Sequence, residues 1–228
     1  KILKSSRYRN SKLNIGNFKL FELLINKLQI PQRWKQRLIK FFWNEKYFSE
    51  LLKRLESNLD IDPVAVAGDK KMYSKMIKLN QKKIINGRSY KEIIKRFESK
   101  INDPRQSETG KKSAKIIKEF LKIKCSLNNA PNILNKFFKK YDLNIFVNKD
   151  YFPIKNLNIK DTKFEFSTSI GRGREVEFYN SLIFSLDVKK KNKFVNLISG
   201  GRFDELTSKY LGLKKIPAVG AAVNLTNY

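Results

Sequence analysis

The chain has 228 residues, 49 of them Lys or Arg and 21 Asp or Glu, for a formal charge of +28. It contains no histidine, which excludes histidine-ligated metal sites, histidine general bases and Ser-His-Asp triads. A single cysteine, Cys125, excludes an intramolecular disulfide and fits a reducing compartment.

Leu13 and Ile15 alternate with polar residues and predict a short strand. Asn17 then offers a cap to a helix bearing Phe18, Phe21, Leu24, Ile25 and Leu28 on one face. Pro31 ends that helix and suits the first turn of the next, which carries Trp34, Leu38, Phe41 and Phe42. A third helix is predicted near Ser49 to Leu59. Asp62-Pro63 and Gly68-Asp69 are expected to break the pattern. Met72, Met76, Leu79 and Ile84 predict another helix, stopped at Asn86-Gly87. Ser89-Tyr90-Lys91-Glu92 reads as a capping box, followed by Tyr90, Ile93, Ile94, Phe97 and Ile101 at the spacing of one buried face. Asp103-Pro104 ends this helix. Further helices are predicted over Ala114 to Ile123 and after Pro131, the latter with Ile133, Leu134, Phe137 and Phe138.

From Lys163 the period changes to two. Phe164, Phe166 and Thr168 alternate with Glu165, Ser167 and Ser169. Three more strands are predicted: Phe178 to Val188, Phe194 to Ile198 and Ala218 to Leu225. Lys189 to Lys193 forms a hairpin tip, and a helix runs from Arg202 to Leu211. These elements predict an α+β fold, an antiparallel sheet flanked by helices. The division is a mainly helical part over residues 1–143 and a sheet part over 144–228, within one continuous domain.

No apolar run reaches the length of a membrane span, and Lys1-Ile2-Leu3-Lys4 lacks both Met and a signal-peptide core. The chain therefore reads as a fragment trimmed at its start, and a cytoplasmic location is expected. Lysine is spread through every segment together with Asn and Ile. Such a pattern reflects a compositional bias of the whole chain rather than a patch built for phosphate, so no nucleic-acid partner is expected.

Arg174 and Arg202 can each hold a carboxylate or phosphate through the planar guanidinium fork. Tyr179 offers a hydroxyl, and Glu177 can accept a cation or orient Arg174. The residues alone leave a second reading open, in which Arg174 pairs with Glu177 on a sheet surface and Gly200-Gly201 is a tight bend.

Arg174 to Phe184 resembles the histidyl-tRNA synthetase signature RGLDYYTGxVF, and Gly200-Gly201-Arg202-Phe203-Asp204 resembles its GGRYD element. Pro217 to Ala222 resembles the start of its motif 3 strand. The segments Ile15 to Phe21, Leu28 to Trp34, Gly87 to Phe97 and Phe166 to Arg172 are similar to the alphaproteobacterial form of the ATP phosphoribosyltransferase regulatory subunit, a relative of that synthetase. The resemblance covers nearly the whole chain. It implies a class II aminoacyl-tRNA synthetase-like fold lacking its N-terminal part, where motifs 1 and 2 would lie.

The resemblance further implies a histidine-pocket-like site formed by Arg174, Glu177, Phe178, Tyr179, Gly200, Gly201 and Arg202. It implies no catalytic residue, no metal and no cofactor. The synthetase motif 3 ends in Glu-Arg-Leu, with the Arg gripping ATP phosphates; Thr226, Asn227 and Tyr228 stand at those positions here. A neutral Asn cannot stabilise charge developing on phosphate, so aminoacyl adenylation is not expected. Phe178 and Ser181 replace a Tyr and a Gly of the signature. The partner implied is the short-form ATP phosphoribosyltransferase catalytic subunit, in a hetero-oligomer with self-association and with histidine as effector. Three other readings are a divergent histidyl-tRNA synthetase, a basic RNA-binding paralogue, and a paralogue with an unrelated regulatory partner.

Overall fold

The computed structural model describes residues 10–57, 63–79, 84–85, 88–101, 103, 107–152, 161–173, 178–190, 192–206, 208, 212, 214 and 216–227. Its main sheet has six strands: β1 (Ser11–Asn17), β4 (Lys124–Ser126), β5 (Thr162–Ser167), β6 (Leu182–Lys190), β7 (Lys193–Arg202) and β8 (Val219–Val223), in the order β4-β5-β1-β6-β7-β8. Two further short strands, β2 (Ile84–Ile85) and β3 (Arg88–Ser89), form a separate two-stranded antiparallel sheet among the described residues. The helices are α1 (Phe18–Lys27), α2 (Gln32–Lys40), α3 (Glu45–Glu56), α4 (Pro63–Leu79), α5 (Tyr90–Ile101), α6 (Ser107–Phe120) and α7 (Ala130–Lys140).

The sheet is antiparallel except between β1 and β5, which run parallel with Ser11 opposite Thr162 and Ile15 opposite Phe166. A hairpin joins β6 to β7, with Lys190 opposite Lys193, so the lysine-rich tip falls where the sequence placed it. Contacts divide the chain into two compact units: residues 1–28, 42–45 and 116–228, and residues 29–41 and 46–115. The division at residue 143 sorts by element type and cuts across the first unit, which contains β1, α1 and β4.

In the first unit, alternation along β1, β5 and β6 sends Ile15, Phe166, Leu186 and Val188 to one face, all buried. α1 contributes Phe18, Leu20, Phe21, Leu24 and Ile25 to the core. Asn17 caps α1 as expected, its Oδ1 accepting from Lys19 N at 3.0 Å. Phe42 and Trp43 lie just past the end of α2 and not on it. Their rings join the core, with Phe42 4.4 Å from Phe21 and Trp43 5.0 Å from Phe18. Aromatic contacts of this kind add roughly 0.5–1.5 kcal/mol beyond the area they bury. Phe120 and Phe138 extend the core.

In the second unit, Phe48, Leu51, Leu52 and Leu55 bury one face of α3, and Trp34 and Leu38 bury that of α2. Asp103 is 1% exposed and accepts from Arg33 Nε (3.1 Å), Arg33 Nη2 (2.8 Å) and Trp34 Nε1 (2.9 Å). The capping box forms: Ser89 N donates to Glu92 Oε2 at 2.8 Å, and Glu92 N donates to Ser89 Oγ at 3.3 Å.

Several expectations need correction. Pro63 opens α4, and the helix runs straight through Gly68-Asp69, because Asp69 pairs with Lys100 of α5 and nothing crowds Gly68. Ile84 lies on strand β2, not on a helix. α3 and α6 each begin several residues earlier than predicted, and strand β4 was not anticipated. Phe178 to Ser181 precede β6 instead of belonging to it. Gly200-Gly201-Arg202 continues β7 rather than bending, so no helix starts at Arg202; residues 207 and 209–211 of that prediction lie outside the described residues. No helix among the described residues is long and apolar enough to cross a membrane.

Candidate functional site

The sheet face opposite the core is polar over most of its width. Pairing places Asn14 of β1 beside Ser185 of β6, and Ser185 beside Ser199 of β7. A register shift between Leu186 and Asp187 brings Asp187 opposite Asn196. Asp187 accepts from Asn14 Nδ2 (2.7 Å) and Asn196 Nδ2 (2.9 Å), and Ser199 Oγ donates to Asn196 Oδ1 (2.8 Å). Toward the β4 edge of this face Glu165 of β5 meets Lys124 of β4 at 3.1 Å and Lys12 of β1 at 3.4 Å. Burial acts to raise its pKa, but the two ammonium groups outweigh it and hold the carboxyl below its ordinary value.

At the other end of the same face lie three glycines, each on a different strand. A Cβ on Gly201 would stand 2.7 Å from Tyr179 Cδ1 and 2.9 Å from the Leu182 carbonyl oxygen. One on Gly220 would stand 3.1 Å from Phe203 Cε1, and one on Gly16 would run into Ile170. Alternation puts Gly201 and Phe203 on one side of β7 and Gly200 and Arg202 on the other. Phe178, Tyr179 and Phe203 form one aromatic cluster, with centroids 4.5 Å apart for Phe178–Tyr179 and 5.7 Å for Phe178–Phe203. The rings thus rest on a floor that only glycine provides.

Two polar atoms in this cluster have no hydrogen-bond partner among the described residues. One is the Tyr179 hydroxyl, whose pKa burial pushes up. The other is Asn180 Oδ1, which is buried. The Asn180 backbone is fixed, its N–H donating to the Arg202 carbonyl at 3.0 Å. An acceptor and a hydroxyl beside aromatic rings suit a small ligand with a flat ring and N–H donors.

The structure brings Phe178, Tyr179 and Gly201 together. Gly200 faces away and packs against Phe184. Arg202 is directed to Asp204, with Nε 2.7 and 2.9 Å from its two carboxylate oxygens, and Asp204 Oδ1 also accepts from Ala218 N at 3.0 Å. This staple holds β7 to the start of β8. Burial works against the Asp204 charge, but the Ala218 N–H and the Arg202 guanidinium outweigh it and hold its carboxyl below the ordinary range. Arg174 and Glu177 lie outside the described residues.

The segment before them is well anchored. Thr168 Oγ1 donates to the carbonyls of Phe120 (2.5 Å) and Ile123 (3.3 Å). Gly173 N donates to the Trp43 carbonyl at 3.0 Å. Between Gly171 and Gly173, both at positive φ, Arg172 Nε reaches the Phe42 carbonyl at 3.2 Å and the guanidinium lies over the Phe42 ring. Burial lowers the Arg172 pKa, opposed by the Glu45 carboxylate.

A groove along β4 and β5, lined by Lys124, Cys125 and Glu165, is separated by β1 and β6 from the strands that carry this cluster. Burial raises the Cys125 thiol, which disfavours the reactive thiolate. No group of three or more His, Cys, Asp or Glu able to hold a metal occurs among the described residues. Sequence reasoning missed Ile170, Asn180 and the Asn14–Asp187–Asn196–Ser199 network. Only Asn180 carried a signal, as a departure within the Tyr-Tyr-Thr-Gly run.

No protein-family model matches the chain. The ATP phosphoribosyltransferase regulatory subunit of Rhizobium johnstonii is 26% identical, covering 93% of this chain and 60% of the relative. That of Allorhizobium ampelinum is 27% identical, covering 90% of this chain and 58% of the relative. The chain thus spans about three fifths of the length of these curated relatives. Among solved structures, histidyl-tRNA synthetase from Nostoc sp. PCC 7120 matches with a TM-score of 0.52 at 18% identity, over 99% of this chain and 42% of that one. The chain has the histidyl-tRNA synthetase-like α+β fold and is similar over nine tenths of its length to ATP phosphoribosyltransferase regulatory subunits.

Proposed function

We propose that this chain is part of a non-catalytic regulatory subunit of ATP phosphoribosyltransferase, which acts in the first step of histidine biosynthesis. Its partner is the short-form catalytic subunit, and it works in the cytoplasm. The observation that carries this reading is its likeness, over nine tenths of its length, to curated subunits of that name. Asn227 adds to it, since a neutral amide stands where a synthetase places the cation that grips ATP.

Histidine is the effector in this reading. Its imidazole would lie against Tyr179 on the Gly201 floor, with Asn180 Oδ1 accepting an N–H and Arg174 holding the carboxylate. Regulation requires that histidine bind more tightly to one state of the complex than to the other. The test is co-expression of the full-length protein with the short-form catalytic subunit. Phosphoribosyl transfer should depend on this protein and fall when histidine is added. A catalytic subunit equally active alone overturns the reading. ATP–pyrophosphate exchange driven by histidine would replace it with a synthetase.

A further inference from the structure

Helices α4 and α5 pack as a hairpin, tied by Asp69–Lys100 and by the Tyr90 hydroxyl donating to the Met76 carbonyl at 2.6 Å. The hairpin buries far less than its neighbours. Among the described side chains α4 buries none fully and α5 only Tyr90, whereas α1 buries five and α3 four. Val64 is 80% exposed, Met72 49% and Ile77 47%.

The outer side of α4 has a definite pattern. Val64, Gly68, Lys71, Lys75 and Lys78 recur at the spacing of one helical stripe, with Met72 along its edge. None of the three lysines has a hydrogen bond or ion pair among the described residues. Gly68 sits inside a helix at a cost of roughly 1 kcal/mol relative to alanine. Nothing internal requires it, since a Cβ there would meet no atom within 4 Å. A glycine without an inner reason, between an exposed valine and a lysine stripe, leaves helix backbone bare for something approaching from outside.

We propose that this stripe is the docking surface for an acidic protein surface, one whose carboxylates face Lys71, Lys75 and Lys78 and whose backbone or small side chains close on Gly68 between Val64 and Met72. A second copy of the chain does not fit, because it would set lysine stripe against lysine stripe. The exposed apolar groups of the stripe are aliphatic, so they offer no ring for a base to stack on, and nucleic acid fits less well than protein. The partner's identity rests on the proposed function: it is the short-form catalytic subunit.

The test uses the full-length protein and that catalytic subunit, with affinity measured at roughly 50 and 300 mM salt, a range over which charge pairing is strongly screened. Wild-type affinity should fall with salt. Lys71→Glu/Lys75→Glu/Lys78→Glu should weaken it at least about tenfold, and so should Gly68→Leu, whose unfolding midpoint stays at or above that of wild type. The control Lys122→Glu/Lys136→Glu/Lys139→Glu removes the same charge elsewhere and should stay within about twofold of wild type. If wild type binds and both stripe variants bind equally well, the docking surface is wrong while the regulatory reading stands. If wild type does not bind, both fall. Loss of affinity for a single-stranded RNA in the triple variant, with the protein partner still bound, would reassign the stripe to nucleic acid.

Discussion

Replacing Gly201 by alanine tests the seating of the aromatic cluster. The new Cβ would lie 2.7 Å from a carbon of the Tyr179 ring and 2.9 Å from the Leu182 carbonyl oxygen, both well inside contact distance. The carbonyl belongs to a paired strand and cannot withdraw, so the ring must move. Overpacking of this kind costs about 1–3 kcal/mol. At a urea m-value of about 2 kcal/mol/M, a loss of about 2 kcal/mol lowers the unfolding midpoint by roughly 1 M. Gly68→Ala makes the same chemical change with the opposite sign, because its Cβ meets nothing and the helix gains propensity worth roughly 1 kcal/mol. The two sites lie in different compact units, so if the units unfold separately each substitution shifts its own transition. The assay is urea unfolding of the full-length protein, followed by fluorescence and circular dichroism. Tyr179→Ala should restore the part of the Gly201→Ala loss that comes from the ring. An unchanged midpoint for Gly201→Ala would refute the seating of Tyr179 on that strand.

Asp103→Ala removes the acceptor of Arg33 and Trp34 in a site that is nearly closed to water, and should cost about 3–5 kcal/mol; denaturant titration followed by Trp fluorescence reads it. Ser89→Ala breaks the capping box of α5 and should cost about 1 kcal/mol, seen as reduced amide protection in the first turn of that helix. The Asp204 carboxyl has a depressed pKa, so its contribution is complete above the ordinary carboxylate range and is lost as pH falls through its folded value. Asp204→Asn should therefore flatten the acid limb of the stability–pH curve below roughly pH 4, and an unaltered limb would remove the Ala218–Arg202 explanation. Asn180→Ala removes a buried acceptor that lacks a partner. It should leave the free protein no less stable and, with histidine as the effector proposed above, weaken its binding by about tenfold in calorimetry, as loss of a ligand hydrogen bond would.

Local signals in the sequence were read correctly where the physics is local. The Asn17 cap and the Ser89–Glu92 box each involve residues two or three apart, so side-chain chemistry alone specifies them. Gly68-Asp69 misled because a breaker in isolation was held in a helix by Asp69 reaching α5. Strand β4 has only three residues, and Lys124-Cys125-Ser126 carries no periodicity; it is a strand because β5 offers it a ladder. Gly200-Gly201 signalled that backbone must come close to something, which held for Tyr179 and Phe184, yet a bend was the wrong form for it. Motif likeness singled out Tyr179 and Gly201. It could not reveal that Arg202 turns away to Asp204, since that follows from strand alternation once Gly201 lies within β7. The Asn14–Asp187 bond joins residues 173 apart, a distance over which no local pattern speaks.

The central position of β1 has a consequence for how this molecule is made. Its neighbours are β5, 151 residues downstream at Ser11 and Thr162, and β6, later still. On a ribosome adding roughly 5–20 residues per second, β1 waits on the order of ten to thirty seconds for either edge to be covered. Residues 46–115 carry most of a compact unit whose contacts close within that interval. β1 therefore pairs with β5 and β6 only after the whole of residues 18–161 has been made. Throughout that delay its unpaired backbone and the aromatic face of α1 are what a chaperone, or another nascent chain, would meet.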